Sequence, residues 1–265
     1  MSQDSTGYTV AFAAGVCLVC SLFVSGAAVS LKDRQEANKV LDRQKKVLVV
    51  AGLMEEGESL SPDEIRNRFD TKISARLVSL DNGSFVDAAE NGADANAYDQ
   101  RKASKDPALS DEAPANNAKV SRIPKVATVY LVLEGDNVDQ HILPIQGAGL
   151  WSTLYGYLSI DSDGNTIRGI TFYEHAETPG LGGEVDNVGW KAKWKDRKVF
   201  DGKGDIAIHV KKGAAGKPAE DPHAVDGLSG ATLTSNGVTN SLEFWLGGEA
   251  FGPYLSNVKS GKVKG

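Results

Sequence analysis

The chain has 265 residues, with 29 basic against 35 acidic side chains and a net charge of -6, so it lacks the basic footprint that nucleic acid demands. Both cysteines, Cys17 and Cys20, fall in one apolar run, leaving the polar remainder without thiolates for disulfides, zinc or iron–sulfur clusters. Beyond that run about 230 residues remain, enough for one large domain.

Residues 1–9 form a short polar tail. Val10–Leu31 carries no charge and is long enough for a helix to cross a bilayer. Gly26 and Ala28 would suit a leader's cleavage site. No Lys or Arg precedes the run, however, and its apolar core exceeds that of a signal peptide, so an uncleaved anchor is expected. Cys17 and Cys20, a C-x-x-C pair at membrane depth with no histidine nearby, read as small apolar thiols of that helix. Lys32, Arg34, Lys39, Arg43, Lys45 and Lys46 all follow the span, which by the positive-inside rule would keep the large domain in the cytoplasm.

Residues 32–60 read as a linker region, helical from Asp33 to Met54 with Gly52 near the helix end. The domain expected over residues 61–265 opens on Ser61-Pro62-Asp63-Glu64, a capping box with proline in the first helical position, and that helix runs to about Phe69. Ile73–Leu80 reads as a strand and Asp81-Asn82-Gly83 as a turn. Residues 90–120 have almost no large apolar side chains and are predicted to be a loose, exposed insertion. Strands are expected at Val126–Leu133, Leu154–Ile160, Ile167–Tyr173 and Asp205–Val210. A helix carrying Trp190 and Trp194 follows Glu184, and another covers Asn236–Leu246. The tally predicts an α+β fold: an anchor, then one domain with a mainly antiparallel sheet and flanking helices.

Three glycine-bearing segments are too irregular for regular structure: Gln146–Gly156, Glu174–Gly183 and Asp226–Ser235. Glycine lets backbone N–H groups approach a ligand closely. In the third segment Ser229, Gly230 and Ala231 lead to Thr232, with Thr234 and Ser235 as cap hydroxyls for a helix from Asn236, and a helix start is a natural phosphate site. A plain capped turn fits the same residues. Gly227-Leu228-Ser229-Gly230-Ala231 nearly spells a nucleophile elbow, but Ala231 replaces its last glycine and residues 213–225 read as loop where the elbow needs a strand. His141, His175, His209 and His223 form no ligand spacing. His175 and Glu177 read as a solvated pair, tolerant of substitution. No Walker A or Rossmann fingerprint is present, which speaks against bound NADH. Trp151 stands out among four tryptophans because it lies in a glycine-rich loop.

Ser229-Gly230-Ala231-Thr232 resembles the flavinylation signature of membrane respiratory complexes. Glu177-Thr178-Pro179-Gly180-Leu181-Gly182 is similar to a loop of the same FMN-binding domain. Gly149-Leu150-Trp151-Ser152-Thr153-Leu154-Tyr155-Gly156 is similar to a segment typical of the C subunits of sodium-translocating NADH:quinone oxidoreductases. The G subunits of Rnf-type ferredoxin-linked complexes share the anchor and both short motifs. The Gly-Leu-Trp-Ser segment favours the sodium-pump family. That resemblance implies an electron carrier without catalytic residues or metal ligands of its own. Its FMN would be joined through phosphate to Thr232, with Ser229, Gly230, Ala231 and Thr234 around the phosphate. Thr178, Gly180, Leu181 and Gly182 would lie beside the ring, Leu181 as a lid, and Glu177, Trp151 and Ser152 would complete the cofactor-binding set. It further implies electrons received from a cytoplasmic NADH-oxidising subunit and passed to the covalent FMN of the large membrane subunit on the way to ubiquinone. Maturation would need a flavin transferase using FAD and magnesium. The chain would sit in the bacterial inner membrane with its lipid, the soluble domain periplasmic, against the charge rule. A membrane-tethered ligand-binding or assembly module is the alternative of a different class.

Overall fold

The computed structural model describes residues 6–87, 94–135 and 137–263, in two compact units, 1–43 and 44–265. The first consists of helix α1, Thr6–Val50, whose last residues belong to the second unit. Its apolar stretch is long enough to cross a membrane, and none of that stretch is buried. No proline interrupts it, so its backbone satisfies itself throughout, as hydrocarbon requires.

In the second unit Val47, Leu48 and Val50 are buried, and the Ala51 carbonyl accepts from Gln140 Nε2 at 3.1 Å. The expected capping box opens α2, Pro62–Lys72: the Ser61 hydroxyl accepts from Glu64 N, and the Glu64 carboxylate accepts from Ser61 N at 2.8 Å. The chain then builds β1 (Ile73–Ser79), β2 (Phe85–Val86), α3 (Gln100–Ala103), β3 (Ser110–Glu112), β4 (Arg122–Pro124), β5 (Val126–Glu134), β6 (Asn137–Ala148), β7 (Thr153–Asp161) and β8 (Ile167–Glu174). A six-stranded antiparallel sheet runs β2-β1-β5-β6-β7-β8, with β3–β4 a small antiparallel pair beside it. A 3-10 turn (Gly182–Asp186), α4 (Val188–Ala192), the parallel pair β9 (His209–Lys211) and β10 (Ala224–Asp226), α5 (Thr232–Trp245) and α6 (Gly252–Lys259) complete the unit. The expected α+β class with a mainly antiparallel sheet is what the chain forms.

One sheet face packs Leu143, Ile145, Leu158, Ile170 and Phe172 with Val238, Leu242 and Trp245 of α5 and Tyr254 and Leu255 of α6. Trp245 Nε1 donates to the Gln146 carbonyl at 2.7 Å, which fixes α5 along β6. Tyr130 and Tyr157 meet edge to face, as Phe69 and Tyr130 do.

Four expectations need correction. Strand β6 is absent from the sequence-based tally, and Gln146–Ala148 are its end, so the loop there shrinks to residues 149–152. Pro144 and Gly147 look like breakers, but β6 pairs with β5 only through Ile142, so Pro144 lies where no β5 partner needs its missing N–H. Helix α5 starts at Thr232, not Asn236, and α6 follows it. The 205–210 strand is only His209–Lys211. Within the described part of the 90–120 insertion, the chain is not loose. Ala103 and Ala118 are buried against the domain, and Ala148 N donates to the Ala118 carbonyl at 2.8 Å. Small side chains there permit close packing rather than signalling its absence.

Candidate functional site

The three glycine-bearing segments converge, and one side chain joins them. Glu177 is 5% exposed. Its Oε2 accepts from Thr234 Oγ1 at 2.6 Å and from Leu150 N at 3.2 Å. Its Oε1 accepts from Trp151 N at 2.9 Å, and from Ser152 N at 3.2 Å and Ser152 Oγ at 3.3 Å. Ser152 Oγ in turn accepts from Ala176 N at 2.8 Å. Burial alone would raise this carboxyl's pKa, but the Thr234 hydroxyl and the N–H groups of Trp151, Leu150 and Ser152 outweigh it and hold the group below the usual carboxylate range. Glu177 is therefore no solvated loop residue, and that expectation is corrected. The reading of His175 as its partner fails too. His175 Nδ1 accepts from Glu177 N at 3.2 Å, and its Nε2 faces Asp186 at 2.8 Å.

Gly182 explains how Glu177 can reach Thr234. A β-carbon at Gly182 would stand 2.5 Å from Thr234 Oγ1 and 2.7 Å from Glu177 Oε2, so only glycine leaves that bond its space. The preceding turn is tight: the Thr178 carbonyl accepts from Leu181 N at 3.1 Å and Gly183 N at 2.9 Å, and the Thr178 side chain is exposed.

The start of α5 sorts the four candidate hydroxyls. Thr234 is fully buried and committed to Glu177. Ser235 is buried and accepts from Leu228 N at 3.1 Å, which holds the loop rather than capping the helix. Ser229 and Thr232 are exposed. Ala231 occupies the N-cap, no side chain caps the helix, and Thr232 is its first residue. The first-turn N–H groups of a helix have no intrahelical acceptor, and with the helix dipole they favour an anion. Gly230 has φ +69, a left-handed conformation, and a β-carbon there would meet Leu181 Cδ2 at 2.9 Å. Leu181 thus lies against the turn before Thr232.

Large apolar side chains stand open around this point. Trp151 is 71% exposed and Leu181 43%, with Leu150 and Leu233 also exposed. An uncapped helix start with an accessible hydroxyl, beside an open apolar rim, fits a phosphate joined to a flat aromatic group. Ser229, Gly230, Ala231, Thr232, Thr234, Glu177, Thr178, Gly180, Leu181, Gly182, Trp151 and Ser152 all belong to the three converging segments. Asp226 lies outside the sequence-based set. Its carboxylate accepts from Ala215 N at 2.8 Å and from Lys193, and its carbonyl accepts from Trp190 Nε1 at 2.8 Å, which anchors the turn from β10. Only its place at the head of the third segment hints at this.

Strand β10 does precede Gly227, contrary to the expected loop. Nδ1 of His209 and Nδ1 of His223 nonetheless face the carbonyls of Ala207 and Lys198, each at 2.9 Å. Neither imidazole is hydrogen-bonded to Ser229 among the described residues.

Residues 149–247 match the FMN-binding domain family, a span that contains all three loops and α5. The chain thus contains an FMN-binding domain. The chain is 48% identical over 265 residues to the C subunit of the Na(+)-translocating NADH-quinone reductase of Pseudomonas aeruginosa, covering 99% of each. It is 47% identical over 262 residues to the C subunit of Vibrio campbellii, covering 98% of each. The crystal structure of Shewanella oneidensis NqrC superposes with a TM-score of 0.77 at 33% identity, over 84% of this chain and 99% of that one. The crystal structure of the C subunit from Parabacteroides distasonis gives 0.63 at 29% identity, over 85% and 97%. The chain belongs to the family of C subunits of Na(+)-translocating NADH-quinone reductases.

Proposed function

We propose that this chain is a membrane-anchored electron carrier whose FMN is bonded through its phosphate to Thr232. The observation that carries this is the sorting of hydroxyls at the start of α5: Thr234 and Ser235 are buried and engaged, while Thr232 is exposed as the first residue of an uncapped helix. Ser229 is the remaining competitor, and the resemblance selects the threonine after Ala231. In the attachment reaction the Thr232 oxygen bonds to the flavin-side phosphorus of FAD. The pyrophosphate bond breaks, AMP leaves, and the hydroxyl proton is released; a flavin transferase would supply the magnesium.

When bound, FMN supplies the electron chemistry. Thr232 holds it, the N–H groups at the head of α5 offset its phosphate charge, and Leu181, Leu150 and Trp151 give the ring an apolar seat. Glu177 holds the seat's parts together. The resemblance supports a relay from the NADH-oxidising subunit to the covalent FMN of the large membrane subunit, and so to ubiquinone. The same resemblance supports reading the large unit as periplasmic and α1 as a helix of the inner membrane, against the basic flank after Leu31.

Intact mass of the purified chain tests the core of this. Wild type should exceed the polypeptide by FMN less one water, Thr232→Ala should show no adduct, and Ser229→Ala should keep it. An adduct on another residue, or a flavin that leaves on denaturation, refutes the linkage. The second outcome would favour a non-covalent binding module. For topology, protease added to intact spheroplasts should digest the large unit; protection until lysis would return it to the cytoplasm.

A further inference from the structure

Arg101 lies outside the 149–247 span that matches the FMN-binding domain, yet it reaches the root of two of its loops. Its guanidinium grips Glu174 with both nitrogens, Nη1 to Oε2 at 2.6 Å and Nη2 to Oε1 at 3.0 Å. Its Cζ also lies 3.6 Å from the centre of the Tyr155 ring. Glu174 ends β8 immediately before the 175–183 loop, and Tyr155 stands near the start of β7, just after the 149–152 loop. The two are register partners, at a point where the β7–β8 ladder slips between Tyr155 and Gly156. One guanidinium therefore joins the two strands where their backbone pairing is irregular. The same segment braces the site elsewhere: Ala118 accepts from Ala148 N at 2.8 Å beside the 149–152 loop, and Asn117 accepts from Asn240 of α5 at 3.4 Å.

We infer that Arg101 is a positioning residue for the flavin site, fixing the 149–152 and 175–183 loops relative to each other from outside the flavin-binding segment. The inference rests on the FMN reading above. Exposed ion pairs usually contribute little, but a two-pronged guanidinium–carboxylate pair stacked on a ring is the geometry in which they do. Lysine would keep the charge and lose both the fork and the flat stack. Exchange of one rigid clamp for a point charge changes how Leu181 and Trp151 sit, and with them the environment of the bound ring.

The test uses the full-length, flavin-loaded chain with Arg101→Gln, Arg101→Lys and, as a remote control, Arg66→Gln, which breaks only an exposed pair with Asp63 on α2. Both Arg101 variants should alter the visible circular dichroism of the flavin and shift its oxidised-to-reduced ratio at fixed potential by about threefold or more. The control should match wild type. Wild-type dichroism and ratio in both Arg101 variants overturn the inference, as does an equal shift in the control. If Arg101→Gln fails to fold, Arg101→Lys decides. Should wild type prove to carry no flavin, the FMN reading fails by itself. Amide exchange then settles Arg101: faster exchange in residues 175–183 of Arg101→Lys supports the role, and unchanged exchange overturns it.

Discussion

The three converging loops and the 94–124 segment look alike in sequence, both poor in regular patterning and rich in small residues, but they are held by opposite means. The loops are joined to one another chiefly by one buried carboxylate, Glu177, which collects two hydroxyls and three backbone N–H groups. The 94–124 segment is held by distributed contacts: Ala103 and Ala118 packed in the domain, Arg122 on Ser110, and Asn116 on Val120. The first arrangement leaves the loop surfaces open for a ligand and concentrates risk in one side chain. The second spreads the risk over many small contacts.

That contrast can be broken most sharply at Glu177. Glu177→Ala leaves the Thr234 and Ser152 hydroxyls and three backbone N–H groups without this acceptor, and should cost about 2–4 kcal/mol in chemical denaturation, with loss of flavin. Ala118→Leu should cost about 1–3 kcal/mol by overpacking while leaving flavin attached, because nothing at the loops depends on it alone. Thr234→Val removes one donor at nearly constant volume; a loss of about 1–2 kcal/mol with the adduct retained is expected. Equal flavin loss in the Ala118 and Glu177 variants would erase the distinction.

The acid limb of stability sharpens it further. Glu177 has a folded-state pKa below its unfolded value, so its contribution is complete above the ordinary carboxylate pKa and disappears as pH falls through the depressed value. Thermal melts should show wild type and Glu177→Gln separated at neutral pH and approaching each other in acid; a constant gap would remove Glu177's charge from the account. The smallest expected effect is Leu181→Ala. The side chain is 43% exposed, so stability should change by less than about 1 kcal/mol. Flavin absorption or potential should still change, and an unaltered spectrum would take Leu181 out of the site.

Much of this is legible in the chain itself, for identifiable reasons. The capping box at Ser61 and the apolar, β-branched run Val126–Leu133 are local signals, and local physics decides them. The uncharged run before Lys32 is equally plain. Strand β6 is hidden because Pro144 argues against a strand until one knows that the β5–β6 pairing stops at Ile142. Glu177 misleads for a similar reason. A carboxylate between an alanine and a threonine looks solvated, and its donors come from residues 25 to 57 positions away, beyond the reach of any spacing rule. The glycines mark where backbone crowds together, but not what the crowding surrounds.

Helix α1 carries one further consequence, about where the molecule can be divided. The element that begins as an apolar span finishes as part of the globular interior, with Val47 and Leu48 wholly enclosed. A shortened chain beginning at Lys32 keeps those residues. One beginning at Glu55 strips both side chains from the interior and removes the Ala51 carbonyl that meets Gln140. The boundary that matters for a water-soluble version is therefore set by the interior of the domain, at or before Gln44, and the end of the apolar run at Leu31 is only the earliest place to cut.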